Sequence, residues 1–428
     1  MKQFSKQEKS WIFYDVANSS YATIMLAALF PIYFTNICNA QGVANGGDYW
    51  WALGNSIATF IIAICAPVIG AMADIRGNKK KFFIVFLLLG LIFSIVAVYG
   101  GSWWMMLIGY GLSFIGFEGS CLVNDSFLTD VTTPERMDKV SSWAYALGYI
   151  GGSTIPFLIA IALVMFGEKI GVDSLEAVQY SVLIMVIWWA VFSIPMLKNV
   201  DQVYSIEKPE GNTIAASLKS VWNTAKDIFR IKPLFIFLLS YFFYIDGVNT
   251  VIKMSTSYGN TLGLGTTGMI LALMVTQLVA FPCSILFGKL SEKFGSIPML
   301  IFAISVYIVI CMLGFVMGYG LEEEFLTISQ ASVLFWILAT LVGTVQGGIQ
   351  AISRSHFGKL VPPERSGEFF GFFDIFGKFA AVVGPTLYAG SKSLTGRSSF
   401  SILSLILLFV VGLIILIIGN RKHNEMGK

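Results

Sequence analysis

Apolar runs long enough to cross a lipid bilayer recur along almost the whole of this 428-residue chain. In the first half they fall at about 11–37, 50–74, 82–100, 103–126, 141–166 and 178–197. In the second they fall at about 233–257, 266–289, 297–319, 331–356, 367–390 and 399–420. Inside hydrocarbon no water pairs with backbone N–H and C=O groups, so only helices and closed barrels can span it. A barrel would show ten-residue segments of alternating polarity; these runs are continuous and approach the roughly 20 residues of one helical crossing. The chain is 56% hydrophobic and 12% charged, with a mean hydropathy of +0.76. The expected fold class is therefore an all-α membrane protein of about twelve transmembrane helices. The net charge of +3 constrains little, and the lack of long charged or low-complexity tracts argues against nucleic-acid binding.

Lys and Arg orient such a chain, because they concentrate in cytoplasmic loops. With the N-terminus inside, 23 of the 28 fall on inner segments. Both termini are expected in the cytoplasm, and the absence of a targeting segment or soluble extension suggests a bacterial inner membrane. The first run follows Lys2, Lys6 and Lys9 and precedes Cys38-Asn39-Ala40, which loosely fits a signal-peptide cleavage site. Its length and its internal Asp15 and Asn18 argue against one. Residues 198–232 form one long inner connector between halves 1–197 and 233–428. Within it Ile214, Leu218, Val221, Trp222, Ala225, Ile228 and Phe229 share a helical face, with Lys219, Lys226 and Arg230 off it. That pattern fits an amphipathic helix on the inner membrane surface; a mere tether is the alternative.

The two halves repeat each other. Asp15 and Asn18 in the first span echo as Asp246 and Asn249 in the seventh, 231 residues on. Gly70-Ala-Met-Ala-Asp74-Ile-Arg76-Gly77-Asn-Lys79-Lys80 echoes as Gly288-Lys-Leu-Ser-Glu292-Lys-Phe-Gly295, 218 residues on. Glycines there permit close helix approach and a tight turn, and the acid can accept from the N-terminus of a neighbouring helix. Pro134-Glu135-Arg136 echoes as Pro363-Glu364-Arg365 with an offset of 229, which Gly148 and Gly377 keep.

With these motifs the chain resembles the major facilitator superfamily, whose signature after the second helix is met at Gly70, Asp74, Gly77, Lys79 and Lys80. It departs at Ile75, where the superfamily usually has Arg. The opening Trp11-Ile-Phe-Tyr14-Asp15-Val-Ala17-Asn18-Ser19-Ser20-Tyr21-Ala22, with Phe30-Pro31-Ile-Tyr33-Phe34, resembles the vacuole-effluxer branch: autophagy-related amino-acid exporters and their bacterial relatives. The resemblance implies two six-helix bundles that rock about a midplane cavity lined by the first helix of each half.

Polar residues within spans are the site candidates, because charge in a bilayer core is costly. Asp246, Asn249 and Lys253 share a helical face, as do Glu118 and Asp125. Asp374 and Lys378 stand at i, i+4 in the favourable order for an ion pair. Gln346 and Gln350 make a polar stripe, and Tyr14 and Tyr21 are candidates for lining a cavity. For each, a structural lock between helices is the alternative, evenly balanced for Asp374–Lys378 and favoured for Asp125 and Arg354. Those two stand 229 residues apart at equivalent inner helix ends. The expected gating set is Gly70, Asp74, Gly77, Lys79, Lys80, Asp125, Arg136, Gly288, Glu292, Gly295, Arg354 and Arg365.

Several features carry little. Cys38, Cys65, Cys121, Cys283 and Cys311 show no pairing or metal spacing. Gly263-Leu-Gly265-Thr-Thr-Gly268 matches a dinucleotide fingerprint but precedes a membrane helix with no strand before it. Only His356 and His423 are present, and no zinc motif or nucleophile elbow appears, so an intramembrane enzyme is not expected. The function expected is secondary active transport of small polar or zwitterionic, amino-acid-like solutes. It would be coupled to protons (sodium being the alternative ion) through Asp15 or Asp246, by a monomer in the lipid bilayer, with no cofactor. An anionic or peptide-like cargo, or a non-transporting receptor or scaffold, are the alternatives.

Overall fold

A computed structural model describes residues 3–209 and 213–426, without the side chains of 266, 267, 270 and 421–426. Lys2 and Lys428, counted above as inner charges, lie outside the described residues, as do the side chains of Arg421, Lys422 and His423. The helices are α1 (Lys6–Tyr21), α2 (Phe30–Ala40), α3 (Gly46–Ala73), α4 (Lys79–Tyr99), α5 (Trp103–Ser126), α6 (Leu128–Val131), α7 (Met137–Leu147), α8 (Ile155–Phe166) and α9 (Ser174–Asn199). The second half contributes α10 (Thr213–Arg230), α11 (Lys232–Thr261), α12 (Thr266–Phe294), α13 (Ser296–Glu322), α14 (Ile328–Leu360), α15 (Ser366–Thr395), α16 (Ser398–Ser404) and α17 (Ile406–Met426). Among the described residues eleven helices are long and apolar enough to cross a membrane, or twelve if the bent opening pair, Lys6–Ala28 with Phe30–Ala40, is one span.

Local chemistry sets several helix starts. Ser5 and Glu8 close a capping box at α1, Asp173 and Glu176 do so at α9, and Thr327 and Gln330 at α14. Each box satisfies two of the orphan N–H groups that open a helix. Gly77 and Gly295, the echoed turn glycines, adopt φ of +76° and +91°, which side chains with a Cβ rarely tolerate. Two π-helical segments, Ala22–Ala28 and Gly148–Thr154, interrupt the first and fifth spans. A Cβ at Gly148 or Gly152 would collide with Ser19, so these glycines allow the fifth span to lie against α1.

The chain divides into two compact units. The first is Met1–Thr133, Leu147–Asn223 and Pro362–Phe372; the second is Pro134–Ala146, Thr224–Val361 and Phe373–Lys428. Each unit therefore includes one short segment from the far half of the sequence. Those segments are the starts of α15 and α7, the helices that follow the two Pro-Glu-Arg loops.

Candidate transport and gating sites

In the first unit the signature acid caps a helix. Asp74 closes α3, and its carboxylate accepts from the backbone N–H of Gly367 and of Glu368, both at 2.8 Å, in the first turn of α15. Those amides have no partner within their own helix, and the helix dipole favours an anion there. Lys79 is fully buried; its Nζ lies 3.7 Å from Asp74, 2.9 Å from Asp130 and 2.9 Å from the Ser366 hydroxyl. A Cβ at Gly70 would collide with the Gly367 carbonyl, which is why glycine stands at that close approach. Burial pushes the Asp74 carboxyl up to about 7, although Lys79 and the Glu368 and Gly367 amides all pull it down.

The connector reinforces this corner. Ile75 and Ile206 form a parallel bridge. The Gln202 side chain accepts from the Gly77 N–H at 2.9 Å, and Asp130 accepts from the Val203 and Tyr204 N–H groups at 2.8 Å. Ile75, where an Arg was expected, is buried beneath this strap. Lys80 pairs with Asp201 at 2.7 Å near the surface. Arg365 lies 3.3 Å from Glu368.

The second unit has a counterpart with different chemistry. Its hub is Asp138 in the first turn of α7. It accepts from Ser355 at 2.6 Å, Ser296 at 2.9 Å and Ser291, and pairs with Lys359 at 2.7 Å. Glu292, the echo of Asp74, caps no helix; it lies 3.8 Å from Lys139 and is partly exposed. Gly288 packs against Ser142. Arg354 donates to the Ser141 hydroxyl at 3.0 Å and sits over the Tyr145 ring. Asp130, Asp138 and Lys359 were missed by sequence reasoning. The signal was available: Asp130 and Lys359 stand 229 residues apart, the offset that relates Asp125 to Arg354. Arg136 lies in the loop before α7, and Asp125 near the end of α5 is half-buried.

Within the spans the candidates separate. Tyr14 and Tyr21 are fully buried, bonding Ser120 and Ser113 at 2.7 Å. Those hydroxyls are spent on helix packing, so these two tyrosines pin α1 to α5 instead of lining a cavity. Asp15 is buried. Asn18 reaches Cys121 at 3.4 Å and is half-buried, as is Glu118 one turn back along α5.

Asp246 is fully buried. It accepts from the Gly384 N–H at 2.6 Å and from Thr250 at 3.4 Å. Pro385 follows inside α15, so Asp246 fastens α11 beside a helix-breaking residue. Asn249 is half-buried and Lys253 exposed; Asp246, the buried member of the expected Asp246–Asn249–Lys253 group, also spends one carboxylate oxygen on the backbone amide of Gly384. Asp374 and Lys378 form the expected ion pair and stay partly exposed. Gln350 is half-buried. Gln346 is buried and lines an apolar cavity of about 100 Å³ inside the second unit, together with Gln277, Tyr258 and Phe335.

The family model for the vacuole effluxer Atg22-like proteins matches residues 51–426. This chain belongs to that family, a branch of the major facilitator superfamily. It is 46% identical over 422 residues to the MFS-type transporter YxiO of Bacillus subtilis (strain 168), covering 97% of this chain and 95% of that one. It is 22% identical to the autophagy-related protein 22 of Botryotinia fuckeliana (strain B05.10), over 68% of this chain and 52% of that protein. The chain thus spans about half the length of that fungal relative. Among solved structures it is similar to the superfamily proton:xylose symporter XylE, with a TM-score of 0.70 at 14% identity, covering 96% of this chain and 94% of that one. Membership makes the chain a multi-pass membrane transporter, and the fold is that of the superfamily.

Proposed function

We propose that this transporter is a secondary active carrier of small zwitterionic solutes of the amino-acid kind, driven by protons through alternating access. The observation that carries the reading is the Asp374–Lys378 pair, one turn apart on α15 and partly exposed. An ammonium and a carboxylate on one small solute can each replace the partner of the opposite charge, so no charge is left unpaired when the solute binds. Half-buried Glu118, one turn along α5 from Cys121, is the proton carrier, with buried Asp15 as the alternative. Asp246 is held by the backbone amide of Gly384 and serves to fasten α11. The sequence halves act as the two rocking bundles, with both termini cytoplasmic, in a monomer.

Uptake of labelled amino acids into proteoliposomes, with and without an inward proton gradient, tests this. Gradient-driven uptake should fall at least tenfold in both Asp374→Asn and Lys378→Gln, and Glu118→Gln should keep exchange but lose accumulation. Uptake that survives both pair variants would overturn the zwitterion reading. Exposed Lys253 favours one rival, an anionic solute; that reading requires Lys253→Gln to abolish uptake while Asp374→Asn spares it.

A further inference from the structure

The connector helix α10 presents three distinct stripes. At about 100° per residue, Ile214, Leu218, Trp222 and Phe229 fall within an arc of about 80°, and these four are 54–65% exposed. Lys219, Lys226 and Arg230 fall together in an adjoining arc of about 40°, and all three are exposed. Ser217, Thr224 and Ile228 form a third arc, turned into the protein and buried. Four large apolar side chains in one patch are out of place in water. The bilayer is the nearest apolar phase: α11, a membrane span, begins at Lys232, two residues after α10 ends. The rings of Phe229 and Phe235 pair at 5.0 Å across that junction. A helix lying at the start of a span, with an apolar wedge flanked on one side by bases, suits an interface bearing negative headgroups.

The same helix touches the signature corner. The Ser220 hydroxyl donates to Glu368 Oε2 at 2.9 Å, and the Glu368 N–H is one of the two that hold Asp74. The Glu368 side chain is buried, and its Oε1 has no hydrogen-bond partner. Its orientation therefore depends on Ser220 and on Arg365 at 3.3 Å.

We propose that α10 is a lipid-charge sensor. It docks its apolar arc in the bilayer with Lys219, Lys226 and Arg230 on anionic headgroups, and through Ser220 and Glu368 it steadies the first turn of α15 on Asp74. Anionic lipid then tightens the Asp74 contact, and neutral lipid loosens it. This rests on the chain being a membrane protein and needs no assumption about cargo.

Hydrogen exchange on the full chain tests it, in nanodiscs of phosphatidylcholine alone or mixed with phosphatidylglycerol. Anionic lipid should slow exchange in α10 by up to roughly a hundredfold at low salt, about a factor of five for each base. Exchange at Gly367 and Glu368 should slow with it. Neutralising the bases together (Lys219→Gln, Lys226→Gln, Arg230→Gln) should remove both lipid effects. Ser220→Ala should keep the effect on α10 and lose it at Gly367 and Glu368. Exchange in α10 that ignores lipid charge would overturn the docking. A lipid response at Gly367 and Glu368 that persists in Ser220→Ala would overturn the coupling.

Discussion

The two corner networks occupy equivalent places in the repeat, yet they are wired with opposite polarity. In the first, the acid sits on the loop (Asp74), and the start of α15 supplies bare N–H donors at Gly367 and Glu368. In the second, the acid sits on the helix start, and the end of α12, the start of α13 and α14 supply hydroxyls and a cation. Asp138 is the 229-residue equivalent of Gly367, and Lys359 that of Asp130. Duplication has preserved where the contacts are made while exchanging which side donates. The first network is also fully buried at Lys79, whereas Lys359 retains 24% side-chain exposure. Equal topology therefore does not mean equal energy.

Removing the cations should separate the two corners most. Lys79→Met strands Asp74 and Asp130 in a buried site and should cost about 3–5 kcal/mol. Lys359→Met strands one buried carboxylate, against two at the first corner, and leaves it three serine hydroxyls; it should cost less, about 2–3 kcal/mol. Denaturant or thermal melts in detergent read the difference; equal costs would refute the burial argument.

Added methyl groups sharpen it next. In Gly367→Ala the new Cβ falls 2.7 Å from both Asp74 Oδ1 and the Gly70 carbonyl, at a cost of about 2 kcal/mol. In Gly288→Ala it meets the Ser142 Cβ at 2.7 Å and hydroxyl at 2.9 Å; only the hydroxyl can rotate away, and with no carboxylate or carbonyl in the way the cost should be somewhat smaller, about 1–2 kcal/mol.

The pH dependence comes third. Asp74 titrates at about 7 in the folded protein against about 3.9 in an unfolded chain. The folded state thus holds its proton more tightly, and the contribution of this group to stability falls as pH rises from about 4 towards about 7. Asp74→Asn should flatten the melting temperature across that window.

The smallest effect is expected at the Glu292 position. Lys139→Gln should change stability by less than about 0.5 kcal/mol, because that pair is long and partly solvated. A loss of several kcal/mol would mean that Glu292 does the work of Asp74 after all.

The spans, the repeat and the signature corner were legible in the sequence because hydropathy, offsets and turn glycines are local or periodic signals. Asp74 on a helix N-terminus follows from its motif. Asp138 was overlooked because the repeat was searched for like residues, and its equivalent is a glycine. Ile75 looked like a defect in the motif, since nothing local announces a bridge to Ile206. The Gly384 contact of Asp246 was invisible for a related reason: helical spacing places Asp246, Asn249 and Lys253 on one face but does not say what the neighbouring helix offers. There Gly384 supplied an N–H that captured the acid. The π-helical segments Ala22–Ala28 and Gly148–Thr154 left no recognisable periodicity at all.

The exchanged polarity also bears on synthesis. A ribosome delivers the first half before the second, and neighbouring chains present identical copies of it. If two first halves met, Asp74 would find the Asp138 side chain where Gly367 now offers an amide with no side chain beside it. If two second halves met, Glu292 and Lys359 would face Gly367 and Glu368 in place of Asp138 and Lys139. In either case the side chains that meet differ from those that match between siblings. The exchanged polarity therefore makes the two halves complementary to each other in a way that neither is to its own copy.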